Sequence, residues 1–356
     1  RGISAGKRID DVRVSAGGFM REAALYAART GGVRTIFVDR PNYFDRDRLR
    51  PGFRTDPPPF KRNQFGFTLT GPLRKGKTYF MGSYEGLRDR LNETKIDNFV
   101  DAEARQGIIT DASGRTIRTV LVNPRVKPYL DPSVMPLPNS TRLGNGFAQN
   151  SSPQFLPTNE SFFTIRLDHQ LSDRDSLFGR YTFDEAASRQ GQETFAFARG
   201  IQSRQQYLTL VGSHIFSPSV LASSRLGYTR PVDNQDSIAS IEIPRSLFFV
   251  PDAPHFGQIA IPGAAGFGPI SFMPAGSVTN TFQVSGDVLA QREGHGLKFG
   301  VEVHRYQWDI FSSSARGGEW AFNSLESFLQ GGPEGTSLTV ALPGSRVRWH
   351  GEGDLI

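Results

Sequence analysis

One stretch of the sequence has the residue types and spacing of a phosphate-binding loop. Residues Gly71 to Thr78 fit the pattern G-x-x-x-x-G-K-[ST], in which loop amides and a helix N-terminus hold phosphates and the hydroxyl binds magnesium. That chemistry needs a helix directly after the loop. Residues 78–84 are instead aromatic, rich in strand-forming types and interrupted by Gly82. The pattern therefore predicts a hairpin turn followed by a strand antiparallel to residues 63–70.

Other residues that could do chemistry are scattered. The chain has no Cys, and its six His show no metal-ligand spacing. It has no G-x-S-x-G elbow. Asp168 with Asp184, or Glu302 with Glu293, could form acid/base pairs, but in a β-barrel such carboxylates more often line a wet lumen. We expect no catalytic, cofactor or metal site, and no enzyme. The 41 Lys and Arg and 35 Asp and Glu are spread without a basic block, which argues against nucleic acid as a partner.

The elements that position these side chains are β-strands. Between Ser161 and Phe183, apolar residues alternate with polar ones on both sides of the polar turn Ser172–Ser176. Period two predicts strands, and two such runs around a turn predict a hairpin. Three more hairpins have the same design. They are residues 63–70 with 78–87, 206–216 with 220–229, and 281–290 with 297–308.

Long stretches rich in Pro, Gly and Asn separate the hairpins, at residues 88–160, 184–204 and 230–280. No run approaches the roughly 18 apolar residues of a membrane-spanning helix. Tight turns alternating with long connections are typical of a bacterial transmembrane barrel with long extracellular loops. The predicted fold is therefore all-β, an antiparallel transmembrane β-barrel segment of about eight strands. Such a segment is an incomplete barrel, and we expect its open edges near Asn63 and Trp308.

The alternation assigns side chains to two sides of this barrel. Residues of the polar parity are expected to line the lumen, and residues of the apolar parity to face lipid. The candidate lumen-lining residues are Arg166, Asp168, Arg180, Lys298 and Glu302. The candidate lipid-facing residues are Phe163, Ile165, Leu167, Tyr181, Leu226, Tyr228, Phe299 and Val301. Aromatic residues near strand ends predict an interfacial girdle of Tyr181, Phe183, Tyr228, Tyr306 and Trp308.

Several motifs resemble the start of the barrel in Oar-like TonB-dependent receptors. They are FKRNQFG at residues 60–66, GPL at 71–73, KTYF at 77–80 and YEGLR at 84–88. The likeness begins near NYFD at residues 42–45 and continues through PLPN at 136–139, RLDH at 166–169, SDRDSLFGRY at 172–181 and FNSLESFL at 322–329. It implies an outer-membrane receptor for TonB-dependent uptake of a large extracellular ligand. Its implied partners are outer-membrane lipid, that ligand, and the TonB complex through an N-terminal part outside this chain.

The resemblance weakens before residue 42. Val14 to Gly18 is similar to the end of the family's plug domain, but residues 19–30 predict a short amphipathic helix instead. We therefore divide the chain into residues 1–41, a remnant of the plug or a divergent N-terminal segment, and residues 42–356, a partial receptor barrel. A second short helix is predicted at about Ser324 to Gln330, because Asn323 and Glu326 form a capping-box pattern and Gly331 offers a stop.

Three functions fit these features. An outer-membrane receptor or transporter best explains the alternating turns and the motifs. A non-transporting surface protein, in which barrel and loops serve adhesion or assembly, would have the same strands. A soluble P-loop NTPase would require a helix after Lys77.

Overall fold

The computed structural model describes residues 20–27, 31–41, 45, 56–332, 336–341 and 347–355. The strands are β1 (Met20–Ala27), β2 (Gly31–Pro41), β3 (Pro59–Arg74), β4 (Thr78–Val100), β5 (Ile108–Thr110), β6 (Thr116–Thr119), β7 (Arg142–Gly144), β8 (Phe147–Gln170), β9 (Asp175–Gly191), β10 (Phe197–Ser217), β11 (Val220–Ala239), β12 (Gln258–Ala260), β13 (Ala275–Arg292), β14 (His295–Ser312), β15 (Glu319–Ala321), β16 (Ser337–Thr339) and β17 (Val347–Leu355). One α-helix, α1, covers Leu325–Leu329, and short 3-10 turns lie at Ala104–Gln106, Lys127–Leu130 and Arg245–Leu247.

Eleven strands form one antiparallel meander in the order β1-β2-β3-β4-β8-β9-β10-β11-β13-β14-β17, and the short β7 pairs with β8. Small sheets of β12-β15-β16 and β5-β6 lie in the connections. The register of the long hairpins shifts only beside two tight turns, at Pro72/Arg74 and Ile215/Ser217. All other long pairings run without a bulge from end to end, so each side chain keeps its face along the whole strand.

The eight strands of the four expected hairpins are all present as β3, β4, β8, β9, β10, β11, β13 and β14. The expected edges are wrong, because β2 pairs with β3 beyond Asn63 and β17 pairs with β14 beyond Trp308. In the described residues, β1 and β17 are the edge strands.

The helix expected at residues 19–30 is also wrong. This segment forms β1, whose eight residues pair with β2 from Met20↔Val38 to Ala27↔Gly31. Pairing with a neighbouring strand overrides a weak helical pattern in so short a segment. The division of the chain at residue 41 stays a prediction, and β1 and β2 extend the sheet on its N-terminal side.

Connections at the two ends of the sheet differ in length. At one end, turns of two to four residues join the hairpins, as at Pro218–Ser219 and Glu293–Gly294. At the other end, residues 101–146, 240–274 and 313–346 make long connections. The stretch 184–204 is not the long loop we expected, because β9 and β10 extend through most of it and leave only residues 192–196. Strands of up to 24 residues are much longer than the 9–11 residues that suffice to cross a bilayer.

The phosphate-loop pattern forms the turn between β3 and β4. Residues 75–77 are the turn, and Gly76 has a φ of 75°, a left-handed conformation that glycine adopts without strain. Thr78 begins β4, which is antiparallel to β3 from Thr78 onward. The predicted hairpin is confirmed, and the helix that phosphate binding requires is not there.

The second predicted helix is confirmed as α1, with one change. Its N-cap is Ser324 rather than Asn323, since the Ser324 hydroxyl accepts a hydrogen bond of 3.1 Å from the Ser327 amide. Gly331 follows with a φ of 84° and ends the helix. No helix in the described part of the chain has the length and apolar character to cross a membrane.

Candidate functional site

The register assigns the strand residues to two faces, because directly opposed residues of antiparallel strands project to the same side. One row of opposed residues across the sheet is Ile165, Tyr181, Leu208, Tyr228 and Phe282. The adjacent row is Arg166, Arg180, Thr209, Gly227, Gln283 and His304. We name the side that carries Ile165 the apolar face and the side that carries Arg166 the polar face.

All thirteen residues singled out in the sequence follow this division. Phe163, Ile165, Leu167, Tyr181, Leu226, Tyr228, Phe299 and Val301 lie on the apolar face. Arg166, Asp168, Arg180, Lys298 and Glu302 lie on the polar face. The first three of these neighbour one another on β8 and β9, whereas Lys298 and Glu302 are on β14, four strand steps from β9.

In the main sheet, large apolar side chains are exposed and several polar side chains are buried, the reverse of the pattern in a water-soluble β-sandwich. On the apolar face, Ile165, Val284 and Phe299 are 51%, 55% and 67% exposed. The buried polar side chains of the main sheet, Asp89, Asp97, Asn150, Gln154, Thr164, Ser237 and Thr281, all lie on the polar face. Covering a large apolar side chain is worth about 1.5–3 kcal/mol, so this surface is favourable only against an apolar medium.

The apolar run also shifts along the strands across the sheet. On β3 the exposed large side chains of this face are Phe67, Leu69 and Leu73, centred on Thr70, which corresponds through successive register partners to His304 on β14. On β14 the run is Leu297 to Val303, centred on Gly300, four residues from His304 after seven strand steps. With strands about 4.8 Å apart and a rise of about 3.3 Å per residue, a level band implies a strand tilt of roughly 20°. The strands therefore cross the apolar band at an angle, as the tilted strands of transmembrane barrels do.

Several charged groups on the polar face are paired. Arg166 donates to Asp168 with 2.7 and 2.6 Å hydrogen bonds, and its guanidinium carbon lies 4.2 Å from the centre of the Phe178 ring. On β14, His304 contacts Glu302 at 2.7 Å and the Tyr306 hydroxyl at 2.9 Å. Such pairs suit a wet but confined surface, where partners reduce the cost of partial desolvation. No three His, Asp or Glu side chains in the described part of the chain come together as metal ligands would.

The five residues predicted to form an aromatic girdle do not lie on one face of the sheet, so the prediction of a single girdle is wrong. Tyr181, Phe183 and Tyr228 are on the apolar face, where Phe163 stacks on Phe183 at 5.2 Å. Tyr306 and Trp308 are opposed to Thr281 and Thr279 and lie on the polar face. The apolar run on β14 ends at Val303, so proximity to a strand end did not identify the membrane boundary.

A hydrophobic core lies in the long connections. Its buried side chains come from residues 101–146, 192–196, 240–274 and 313–332, which with residues 336–341 we name the loop cap. The core includes Ile109, Val126, Leu130, Phe256, Ile259, Phe267, Phe322, Phe328 and Leu329. Among the described residues, the buried hydrophobic side chains of the main sheet lie only at its cap end, in the outermost two residues of β4, β8 and β10. The cap thus folds as one packed unit rather than as separate loops.

Hydrogen bonds join the connections within the cap. The Asn123 amide donates to the Leu329 carbonyl at 2.8 Å, and the Tyr129 hydroxyl donates to the Leu247 carbonyl at 3.0 Å. The half-buried Arg105 guanidinium donates to the carbonyls of Val100, Leu130, Met135 and Pro136 at 2.6–3.0 Å. Burial lowers the pKa of Arg105 to about 10, so it stays charged at neutral pH.

Asp97 should make the stability of the cap depend on pH. It lies near the cap end of β4, nine residues and about 30 Å beyond Arg88 along the strand. The Phe195 amide donates to Oδ2 of Asp97 at 2.8 Å, and the buried Oδ1 of Asp97 has no hydrogen-bond partner. Burial raises the pKa of Asp97 to about 6 from 3.8. A raised carboxyl pKa stabilises the folded cap at low pH, and this contribution is lost as the pH rises from about 4 through about 6.

We therefore expect Asp97→Asn to stabilise the cap at pH 7.5 by as much as about 3 kcal/mol. Hydrogen exchange at the Phe195 amide, corrected for intrinsic rates, measures this. At pH 4.5 the gain should shrink to about 1 kcal/mol, because Asp97 is then protonated in the folded cap while the carboxyl of the unfolded chain is still mostly ionised. A gain of the same size at both pH values would contradict the account.

Sequence reasoning missed three polar groups, namely Arg88 with Arg90, Arg105, and Asp97. All lie between residues 88 and 160, which we assigned to a loop. A signal for the first pair was present, because Arg88 and Arg90 alternate with Leu87, Asp89 and Leu91 as β4 continues. Nothing local in the sequence marks Arg105 or Asp97, whose partners Leu130 and Phe195 are 25 and 98 residues away.

The chain is similar at a low level to several solved structures. The outer membrane transporter YddB from Escherichia coli has a TM-score of 0.45 and 8% identity over 96% of this chain and 38% of that one. The ferric-catecholate import receptor Fiu from E. coli K12, in its open form, has a TM-score of 0.45 and 12% identity over 94% of this chain and 48% of that one. The siderophore receptor PiuA from Acinetobacter baumannii has a TM-score of 0.43 and 8% identity over 94% of this chain and 44% of that one. The chain thus spans less than half the length of each of these proteins.

Among curated proteins no relative matches the chain. Residues 33–351 match the family described as Outer membrane beta barrel domain, which includes nearly the whole sheet and the loop cap. With its antiparallel sheet and exposed apolar band, the chain belongs to the outer membrane beta barrel domain family, and its location is the outer membrane of a Gram-negative-type bacterium.

Proposed function

We propose that this chain is part of the barrel of an Oar-like receptor that takes up a large extracellular ligand in a TonB-dependent manner. The observation that carries the proposal is the combination of an exposed apolar band with a packed loop cap at one end of the strands. In this proposal the apolar face contacts lipid and the polar face, with Arg166, Asp168, Arg180, Lys298 and Glu302, lines the lumen. The cap lies outside the cell.

The packed cap favours recognition over a purely structural role. A connection that only joined two strands would need about 2–6 residues. The connection at residues 101–146 is far longer, and it folds together with two other long connections around a common core. A preorganised surface binds a ligand at a lower entropic cost than separate mobile loops. Exposed apolar side chains on the cap, including Ile117, Leu121 and Leu338, offer contact area for a ligand.

The TonB requirement rests on the motif resemblance at residues 60–88. A partner for energy coupling would act through a segment outside residues 42–356. The second candidate, a non-transporting surface protein, is favoured by the same cap, because a rigid external unit suits adhesion as well.

Uptake experiments separate the two candidates. Cells that carry or lack the receptor, each with and without TonB, are grown in a defined mixture of peptides, oligosaccharides and metal chelates, and the medium is assayed for depletion. We expect at least one compound to be depleted only when both the receptor and TonB are present. If depletion never depends on the receptor while cell attachment does, the transport proposal is wrong and the surface protein is supported.

A further inference from the structure

Two arginines lie on the apolar face just beyond the apolar band, on the side of the loop cap. Along β4 this face carries Phe80 and Tyr84, and then Arg88 and Arg90. Lys61 of β3 is directly opposite Arg90 but is paired with Asp39 at 3.1 Å, so the two arginines carry the positive charge here. The Arg88 guanidinium carbon lies 5.9 Å from the centre of the Phe65 ring, at the end of the aromatic part of the band. Positive charge therefore meets the apolar surface at this border.

The guanidinium groups of Arg88 and Arg90 donate hydrogen bonds to neutral acceptors. Arg88 donates to the Glu160 carbonyl at 2.5 Å and to the Ser161 hydroxyl at 3.1 Å. Arg90 donates to the Asn159 side-chain oxygen at 2.8 Å and to the Asp89 carbonyl at 2.8 Å. Neither forms an ion pair with the described residues, whereas Arg62 on the opposite face is 2.5 Å from Asp89. Hydrogen bonds to neutral acceptors orient a guanidinium but leave its charge available to an anion.

Polar clefts begin beside these arginines. Asn159, which accepts from Arg90, lines two adjoining clefts of about 430 and 610 Å³ on the same face. Ser161, which accepts from Arg88, lines the smaller one. The clefts also present the amides of Gln202 and Asn234. Amide groups offer donors and acceptors in pairs, which suits the hydroxyl groups of a sugar.

We propose that Arg88, Arg90 and the clefts beside Asn159 form a docking site for the phosphorylated sugar headgroup of an outer-leaflet glycolipid. The phosphate binds the two guanidinium groups, whose planar donors match phosphate oxygens. The sugar lies in the clefts, and the acyl chains cover Phe67 and the neighbouring residues of the apolar band. This site rests on the proposed contact of the apolar face with lipid.

The test uses the protein extracted from outer membranes in detergent, with bisphosphorylated lipid A and its dephosphorylated form as probes, read by native mass spectrometry. We expect R88Q/R90Q to weaken binding of the bisphosphorylated lipid at least tenfold. R88K/R90K should retain more of the binding, because the charge remains. The matched control R174Q/R292Q removes two charges at the tight-turn end of the strands and should bind as wild type does.

Equal binding of the bisphosphorylated lipid by R88Q/R90Q and by the control would overturn the docking site. So would equally tight binding of the dephosphorylated lipid by wild type. Spin labels at Phe299 report independently whether the apolar face contacts lipid. If they show lipid contact and the phosphorylated lipid is not bound, the docking site fails while the proposed orientation stands.

Discussion

Replacing Val284 with Arg is expected to lower the free energy of unfolding by about 2 kcal/mol, the lower end of the cost of an arginine on the lipid side of a barrel, because Val284 lies between the centre of the apolar band and its cap-side border. Val284 is 55% exposed on the apolar face, between Leu226 and Val303. No partner for a guanidinium is directly opposite it there. Urea titration of the full-length protein in lipid vesicles measures the change.

The neighbouring position supplies the control. Ser285 lies on the polar face between Arg225 and Glu302, so Ser285→Arg meets a carboxylate and a wet surface. We expect this variant to unfold within about 1 kcal/mol of wild type, as lumen substitutions in barrels do. Equal losses at both positions would contradict the assignment of faces.

Replacing Leu329 with Ala is expected to cost about 2–5 kcal/mol, because its fully buried side chain leaves a cavity in the cap core. The effect should spread to the other connections that share this core. Hydrogen exchange should accelerate in residues 122–135 and 256–267 as well as in α1, while β8 and β9 keep their protection.

Leu338→Ala is the matched control, since that side chain is 55% exposed on β16 and its truncation should change stability by no more than about 0.5 kcal/mol. Faster exchange in α1 alone after Leu329→Ala would show that the connections do not form one unit. In that case the cap would offer separate loops, and the argument for a preorganised recognition surface would fail.

The sequence predicted the membrane part of the sheet because the physics there is local. Lipid on one side and water on the other impose period two, so β8 and β9 could be assigned with their faces from residues 161 to 183. Beyond the band both faces meet water, and the alternation disappears. Residues 184–191 of β9 include Asp184, Glu185 and Arg189 and were therefore assigned to a loop, although the strand continues to Gly191.

The loop cap could not be predicted, because distant residues create it. Leu329 shares this core with Val126 and Ile259, which are far from it in sequence and belong to different connections. Only α1 carried a local signal, its cap and stop residues. The same limit applies to the docking site, where Arg90 meets Asn159 across 69 positions of the chain.

The most direct test of the account is a scan of spin labels from residue 297 to residue 303 of β14 in the membrane-embedded protein. The sequence contains no Cys, so each introduced Cys labels one position of this chain. Collision rates with oxygen, which concentrates in lipid, and with a water-soluble nickel chelate are measured at each site. We predict period two, with oxygen favoured at 297, 299, 301 and 303 and the chelate favoured at 298, 300 and 302. Equal accessibility to the chelate at all seven positions would contradict a lipid-facing apolar band.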